Sequence, residues 1–176
     1  MAWHGSQAER YDGCAEMAVT AYVGLGANLG QAAEALEAAI VALGRLPGAR
    51  LVARSPMYRT APVDAAGPDY LNAVVALDTD LPPGELLAAL HALEQAQGRE
   101  RPYRNAPRTL DLDLLLHGSA IIDTPGLTVP HPRLHERAFV LVPLSDIAPL
   151  LEVPGRGAVR TLLAGVAGQC IERFVP

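Results

Sequence analysis

The sequence predicts an α+β domain whose elements run β-α-β-β-α-β, with further packing elements toward the C-terminal end. Three observations carry that reading. Short apolar, β-branched runs at Ala18–Leu25, Leu51–Tyr58 and Tyr70–Leu77 are bounded by glycine and proline, as strands are. Two stretches, Gln31–Leu43 and Pro83–Gln97, place apolar residues at helical spacing. A fourth run, Leu110–His117, opens on strict alternation of leucine with aspartate, which is the period of a half-buried strand.

Taken in order, Ala18–Leu25 is the first strand, and Gly24, Gly26 and Gly30 mark a tight exit from it. That glycine spacing departs from the dinucleotide fingerprint, whose third glycine falls one residue earlier. The first helix carries Leu36, Ile40 and Leu43, with Asn28 as its expected cap. Pro47-Gly48 turns the chain into the second strand, and Ala61–Asp69, with Pro62, Gly67 and Pro68, is loop. After the third strand, Pro82-Pro83 opens a helix lined by Leu86, Leu87, Leu90 and Leu93. Gly98–Pro107 is an arginine-rich loop. Phe139–Leu144 and Thr161–Val166 add helical packing. This element order is that of the ferredoxin-like split βαβ core with additional C-terminal elements.

At 176 residues the chain suits one domain, expected over residues 17–176. Residues 1–16 are polar, lack the apolar stretch of a signal peptide, and read as a disordered extension that the fold does not need; Met17 is an alternative start. Half the residues are apolar, and mean hydropathy is +0.18. No apolar run reaches the roughly 18 residues of a membrane-spanning helix. A net charge of −5 makes a poor general nucleic-acid binder. Cys14 and Cys170 have no zinc spacing and form no disulfide framework, so the expected location is the reducing cytoplasm, with the chain a monomer.

All 14 basic residues are arginine. Without lysine there is no Walker A loop, no lysine Schiff base and no protein-kinase strand lysine. Any phosphate chemistry falls to arginines and metal ions. The strongest motif is Pro107-Arg108-Thr109-Leu110-Asp111-Leu112-Asp113. Positions two apart on a strand share a face, so the two carboxylates point together and repel unless a cation sits between them. Hard oxygen ligands in that pattern suit Mg²⁺, which takes one or two carboxylates plus substrate phosphates. A solvated strand face explains a bare D-x-D equally well; Arg99, Arg101, Arg104 and Arg108 beside it favour the metal and a polyphosphate. His131, between Pro130 and Pro132, is rigidly presented for a phosphate or ribose, or is structural. Tyr70 and Asn72 share a strand face and could hold a flat, hydrogen-bonding heterocycle, or serve as a core tyrosine beside a capping asparagine.

Together these pieces resemble the 6-hydroxymethyl-7,8-dihydropterin pyrophosphokinase family of the folate pathway. The matching segments are Tyr22–Gly30, Tyr58–Pro62, Pro68–Ala73, Pro107–Asp113 and Val129–Phe139, spread in order over about Met17 to Leu151. The resemblance implies transfer of pyrophosphate from ATP to the hydroxymethyl group of a reduced pterin, releasing AMP. It implies two Mg²⁺ ions on Asp111 and Asp113, and catalytic roles for Arg99 and Arg108. It further implies a nucleotide site of His91, Glu94, Arg99, Arg101, Arg108, Leu114, Thr128, His131 and Arg137, and a pterin site of Thr60, Ala61, Val63, Tyr70, Asn72 and Phe139. Asn105-Ala106 stands where a Trp-Gly pair is frequent in that family. Two other classes share parts of the pattern: a palm-type Mg-dependent nucleotidyl transferase, and a non-enzymatic ferredoxin-like small-molecule-binding module.

Overall fold

The computed structural model describes residues 18–28, 30–62, 67–97 and 110–176. Its central sheet joins β1 (Val19–Ala27), β2 (Ala49–Arg54), β3 (Tyr58–Thr60), β4 (Tyr70–Thr79) and β5 (Asp111–His117), with a short β10 (Glu172–Arg173) at one edge. Two helices, α1 (Ala32–Gly44) and α2 (Pro83–Ala96), connect the strands. Every pairing is antiparallel, and the order across the sheet is β10-β3-β4-β1-β5, with β2 also on β4. The chain is therefore α+β.

Residue alternation sorts the sheet into two faces. Ala21, Val23 and Leu25 of β1, with Leu71, Ala73, Val75 and Leu77 of β4, bury against Leu36, Ile40 and Leu43 of α1 and Leu86 and Leu90 of α2. The opposite face packs Val74, Leu115 and Leu116 against α3 (Ala138–Ile147) through Leu141 and Leu144. Leu115 and Leu116 both reach this second cluster because the β1–β5 register slips there. Val23 faces Leu114 and Tyr22 faces Leu116, which leaves Leu115 as an extra, bulged residue.

Several expectations change in the folded chain. Leu51–Tyr58 is two strands rather than one, because Pro56 has no N–H to give to a ladder. Ser55 bridges the gap: its N–H donates to the Val74 carbonyl at 2.9 Å, and its Oγ accepts from the Val74 N–H at 3.0 Å. Asn28 does not cap α1. Gln31 holds that position without a side-chain bond, whereas Asn28 is buried and its Nδ2 donates to the Pro68 carbonyl at 3.4 Å. Gly24 and Gly26 belong to the body of β1, and Gly30, at φ +58°, supplies the turn.

Beyond β5 the chain adds a hairpin, β6 (Ile122–Thr124) and β7 (Leu127–Val129), turned at Gly126 with φ +91°. A smaller hairpin, β8 (Glu152–Val153) with β9 (Gly157–Ala158), precedes α4 (Val159–Leu162), which runs into a 3₁₀ turn over Leu163–Val166. The helical packing expected near residues 139–144 and 161–166 is present and extends further. No helix among the described residues is long and apolar enough to cross a membrane. The extension before residue 17 and the arginine loop lie outside the described residues.

One polar contact ties β3 to α3. The Tyr58 hydroxyl donates to Asp146 Oδ2 at 2.6 Å, and burial together with that bond pushes the phenol up to about 12. A folded-state value above the ordinary 10 keeps this stability intact below pH 10 and removes it as pH rises toward 12. With no lysine in the chain, tyrosines dominate titration in that window. Tyr58→Phe is expected to cost about 1–2 kcal/mol at pH 8. It should also flatten the fall in Tm between pH 10 and 12, as followed by thermal melts of both proteins.

Candidate active site

The register of four strands lays out the site on the sheet face that also carries α3. Gly26 of β1 faces Asp111 of β5 on one side and Asn72 of β4 on the other. Asn72 in turn faces Tyr58 of β3, and Thr60 faces Tyr70. One step along, Gly24 lies between Asp113 and Val74. Asp111 and Asp113 are half-buried on this face while Leu112 and Leu114 are buried on the other, as their alternation requires.

Asn72 is 5% exposed, and its Nδ2 donates to Thr60 Oγ1 at 2.9 Å. That bond orients the amide so that Oδ1 projects over Gly26. Phe139, near the start of α3, packs with the Val74 and Leu115 cluster, and the Arg137 guanidinium sits 5.5 Å from its ring centroid. Burial lowers the pKa of Arg137 and the Asp113 charge opposes it; a guanidinium remains charged at neutral pH under such a shift. Arg137 thus links the aromatic side of the site to the carboxylate side.

β5 is a sheet edge, and along it runs a cleft of about 290 Å³. Its walls come from α2 (Leu87, His91, Glu94), from β5 (Asp111 to Leu114), and from the β6–β7 hairpin with its exit (Gly126, Thr128, His131). Glu94 is 2% exposed, and its Oε1 accepts the Leu112 N–H at 2.8 Å, directly between the two aspartates. His131 is pinned through its own N–H, which donates to the Leu115 carbonyl at 2.9 Å. Its Nδ1 accepts the Arg133 N–H at 3.2 Å, so the neutral ring carries its proton on Nε2. Burial holds His131 below the usual histidine value, with Asp113 and Asp111 opposing and Arg137 and Arg133 reinforcing. The ring is a neutral donor at pH 7.

Among the described residues, no group of three or more His, Cys, Asp and Glu side chains is placed to hold a metal. Two carboxylates sharing one side of an edge strand fit Mg²⁺ that also takes oxygens from a bound polyphosphate. Of the expected site residues, His91, Glu94, Asp111, Asp113, Leu114, Thr128 and His131 line the cleft together. Thr60, Tyr70 and Asn72 share the adjoining face; Ala61 follows Thr60 and is exposed. Val63, Arg99, Arg101 and Arg108 lie outside the described residues. Leu87, Leu127 and Pro132 also line the cleft and carry no polar signal in the sequence. Glu94 did leave one: Leu86, Leu90 and Glu94 fall on one helical stripe, so the carboxylate lands in the buried row.

A family model described as 7,8-dihydro-6-hydroxymethylpterin-pyrophosphokinase (HPPK) matches residues 22–149. The chain belongs to this family. A 2-amino-4-hydroxy-6-hydroxymethyldihydropteridine pyrophosphokinase of Pseudomonas aeruginosa is 49% identical over 154 residues, covering 87% of this chain and 95% of that protein. The protein of the same name from Haemophilus influenzae is 43% identical over 90% of this chain and 99% of its own length. Among solved structures, wild-type Plasmodium falciparum HPPK-DHPS with SDX-DHP aligns with a TM-score of 0.69 at 13% identity, over 86% of this chain and 45% of the longer protein. At that identity the likeness concerns the fold, and the chain spans less than half of that protein.

Glu94→Ala leaves the buried Leu112 N–H without its acceptor and is expected to cost about 2–3 kcal/mol in urea unfolding. Glu94→Gln retains an acceptor oxygen and should recover part of that loss. Equal stability of the alanine variant and the parent would show that Glu94 does not hold β5.

Proposed function

We infer that this chain transfers the pyrophosphoryl group of ATP to the hydroxymethyl group of 6-hydroxymethyl-7,8-dihydropterin, releasing AMP, in folate biosynthesis. Besides family membership, the observation that carries this reading is the placement of the Asp111–Asp113 pair. It lines the cleft along β5 and adjoins a neighbouring patch built from Asn72 and Thr60. The strand order β3/β2-β4-β1-β5 supports the ferredoxin-like form of the α+β class.

Asp111 and Asp113 would hold Mg²⁺, two ions on this reading, and that metal supplies neutralisation of the polyphosphate charge. His91, Glu94, Leu114, Thr128 and His131 bind the nucleotide in the cleft, with the Nε2–H of His131 as a neutral donor. Arg137, together with Arg99, Arg101 and Arg108, meets the phosphates with fork-shaped donors that keep their charge at any working pH. On the other side the Asn72 amide offers both a donor and an acceptor to the edge of a pterin. Tyr70 and Phe139 flank its ring, and Thr60, Ala61 and Val63 border it. The acceptor oxygen forms a bond to the β-phosphorus as the bond from that phosphorus to the bridging oxygen breaks. AMP leaves with the bridging oxygen, and the hydroxyl proton passes to solvent. Positioning and charge stabilisation do the catalytic work, with Arg99 and Arg108 acting on the transferring group. The enzyme acts as a cytoplasmic monomer on these small molecules, with neither nucleic acid nor membrane as partner.

Incubation with ATP, Mg²⁺ and the hydroxymethyl dihydropterin should yield AMP and the pterin diphosphate. Release of inorganic pyrophosphate from ATP would instead indicate a nucleotidyl transferase, and absence of turnover a binding module. Asp111→Asn and Asp113→Asn are each expected to lower kcat by roughly 10³-fold or more, the scale of several kcal/mol of charge stabilisation. Melts without metal should move little; a collapsed Tm with normal turnover in the surviving folded fraction would return both residues to a structural role. Arg108→Ala should lower kcat by about 10²–10³-fold with a smaller change in ATP affinity, and Arg108→Lys should restore only part of it. An equal fall in ATP binding would make Arg108 a ground-state anchor.

A further inference from the structure

Gly26 lies within β1, one residue before its end, where its backbone needs no special conformation: it is absent from the glycines with positive φ, and both its neighbours across the sheet are regular pairs. A strand interior normally favours a residue with a side chain, since glycine adds backbone entropy to lose and nothing to pack. The reason for glycine here is therefore the space above it. A Cβ at this position would stand 3.3 Å from Asn72 Oδ1 and, among the described residues, would meet no other atom within 4 Å. Asn72 cannot readily yield that space, being 5% exposed and tied to Thr60 at 2.9 Å. On the other flank lies Asp111, directly across the strand pair. Gly26 thus forms a bare strip of backbone between the amide that faces one substrate and the carboxylate that faces the other.

We propose that Gly26 is a specificity-determining residue: its missing side chain opens the lane through which the acceptor's CH₂OH arm reaches from the Asn72 patch to the phosphates at Asp111 and Asp113. This deepens, and rests on, the pyrophosphoryl-transfer reading. The lane accepts a flat amide-bearing heterocycle whose reactive arm is a single methylene carbon and its hydroxyl. A side chain at residue 26 narrows the lane and displaces the Asn72 oxygen, both at the acceptor side. It leaves the nucleotide cleft untouched, because the cleft lies along the outer edge of β5, with β5 itself between it and Gly26.

The test compares Gly26→Ala and Gly26→Ser with the parent protein. Calorimetry gives the Kd for α,β-methylene-ATP with Mg²⁺, and fluorescence gives the Kd for 6-hydroxymethylpterin in the presence of that nucleotide. Thermal melts report the fold. The expected result is a pterin Kd raised at least tenfold by alanine and further by serine, a nucleotide Kd within twofold of the parent, and a Tm within a few degrees. An unchanged pterin Kd in the alanine variant overturns the lane. Equal weakening of both ligands, or loss of the fold, overturns it too, since glycine would then serve the sheet. Parent protein that binds both ligands yet forms no AMP from ATP, supplied with Mg²⁺ and 6-hydroxymethyl-7,8-dihydropterin in a parallel assay, overturns the transfer reading instead, and the two variants' pterin Kd values still decide the lane.

Discussion

The register of β4, β1 and β5 is the constraint on which the rest of the molecule depends. Side chains alternate with a period of two, so a slip of one residue in either pairing would carry Asp111 and Asp113 into the helix-covered core and push Leu112 and Leu114 outward. The same slip between β1 and β4 would bury Asn72 among the residues packed on α1 and α2. Both faces of the sheet carry an apolar layer, α1 and α2 on one side and α3 on the other. Two cores therefore fix one register. A binding face assembled from four strands is held by apolar burial that none of its polar residues supplies.

Electrostatics then differentiate the two ends of that face. Among the described residues, the polar groups around Asp111 and Asp113 include Arg137, His131 and Glu94. Each is held by something other than the carboxylates: Arg137 lies against the Phe139 ring, His131 bonds to Leu115 and Arg133, and Glu94 to the Leu112 N–H. Preorganised groups of this kind need little rearrangement when a polyphosphate and its cation arrive. At the site itself a guanidinium such as that of Arg137 suits the same demand, since a planar fork keeps its charge and matches phosphate oxygens where an ammonium would offer a point charge. At the other end, Asn72 and Thr60 form a neutral hydrogen-bonded pair beside aromatic rings, which suits a flat polar ring.

The connection between β3 and α3 joins these ends mechanically. Tyr58 stands opposite Asn72 in the ladder, and its hydroxyl is bonded to Asp146 at the far end of the helix that begins beside Phe139. Spacing between the amide patch and the aromatic ring therefore depends on a polar contact inside an otherwise apolar layer. The proline that breaks the second strand serves this arrangement, because the interruption at Ser55–Met57 lets β3 carry Tyr58 and Thr60 alongside the first residues of β4.

By itself the sequence determined the elements with strong periodicity: the apolar runs of β1 and β4, the leucine stripes of α1 and α2, and the Leu–Asp alternation that set both aspartates on one face. Those are local properties, written in the spacing of residues along one strand or one helix. It also carried the motifs that mark the family, because Pro107–Asp113 and Val129–Arg133 are contiguous strings. Tertiary structure alone decided what depends on partners distant in sequence. The break at Pro56 becomes two strands only because β4 pairs with both, and the hairpins of two or three residues after β5 are too short for any periodicity to show. Asn28 looked like a cap until packing buried it against Pro68. Most of all, Gly26 reads as a turn residue in a string of glycines; its role between Asn72 and Asp111 exists only once two ladders, 46 and 85 residues away along the chain, bring those side chains to either side of it.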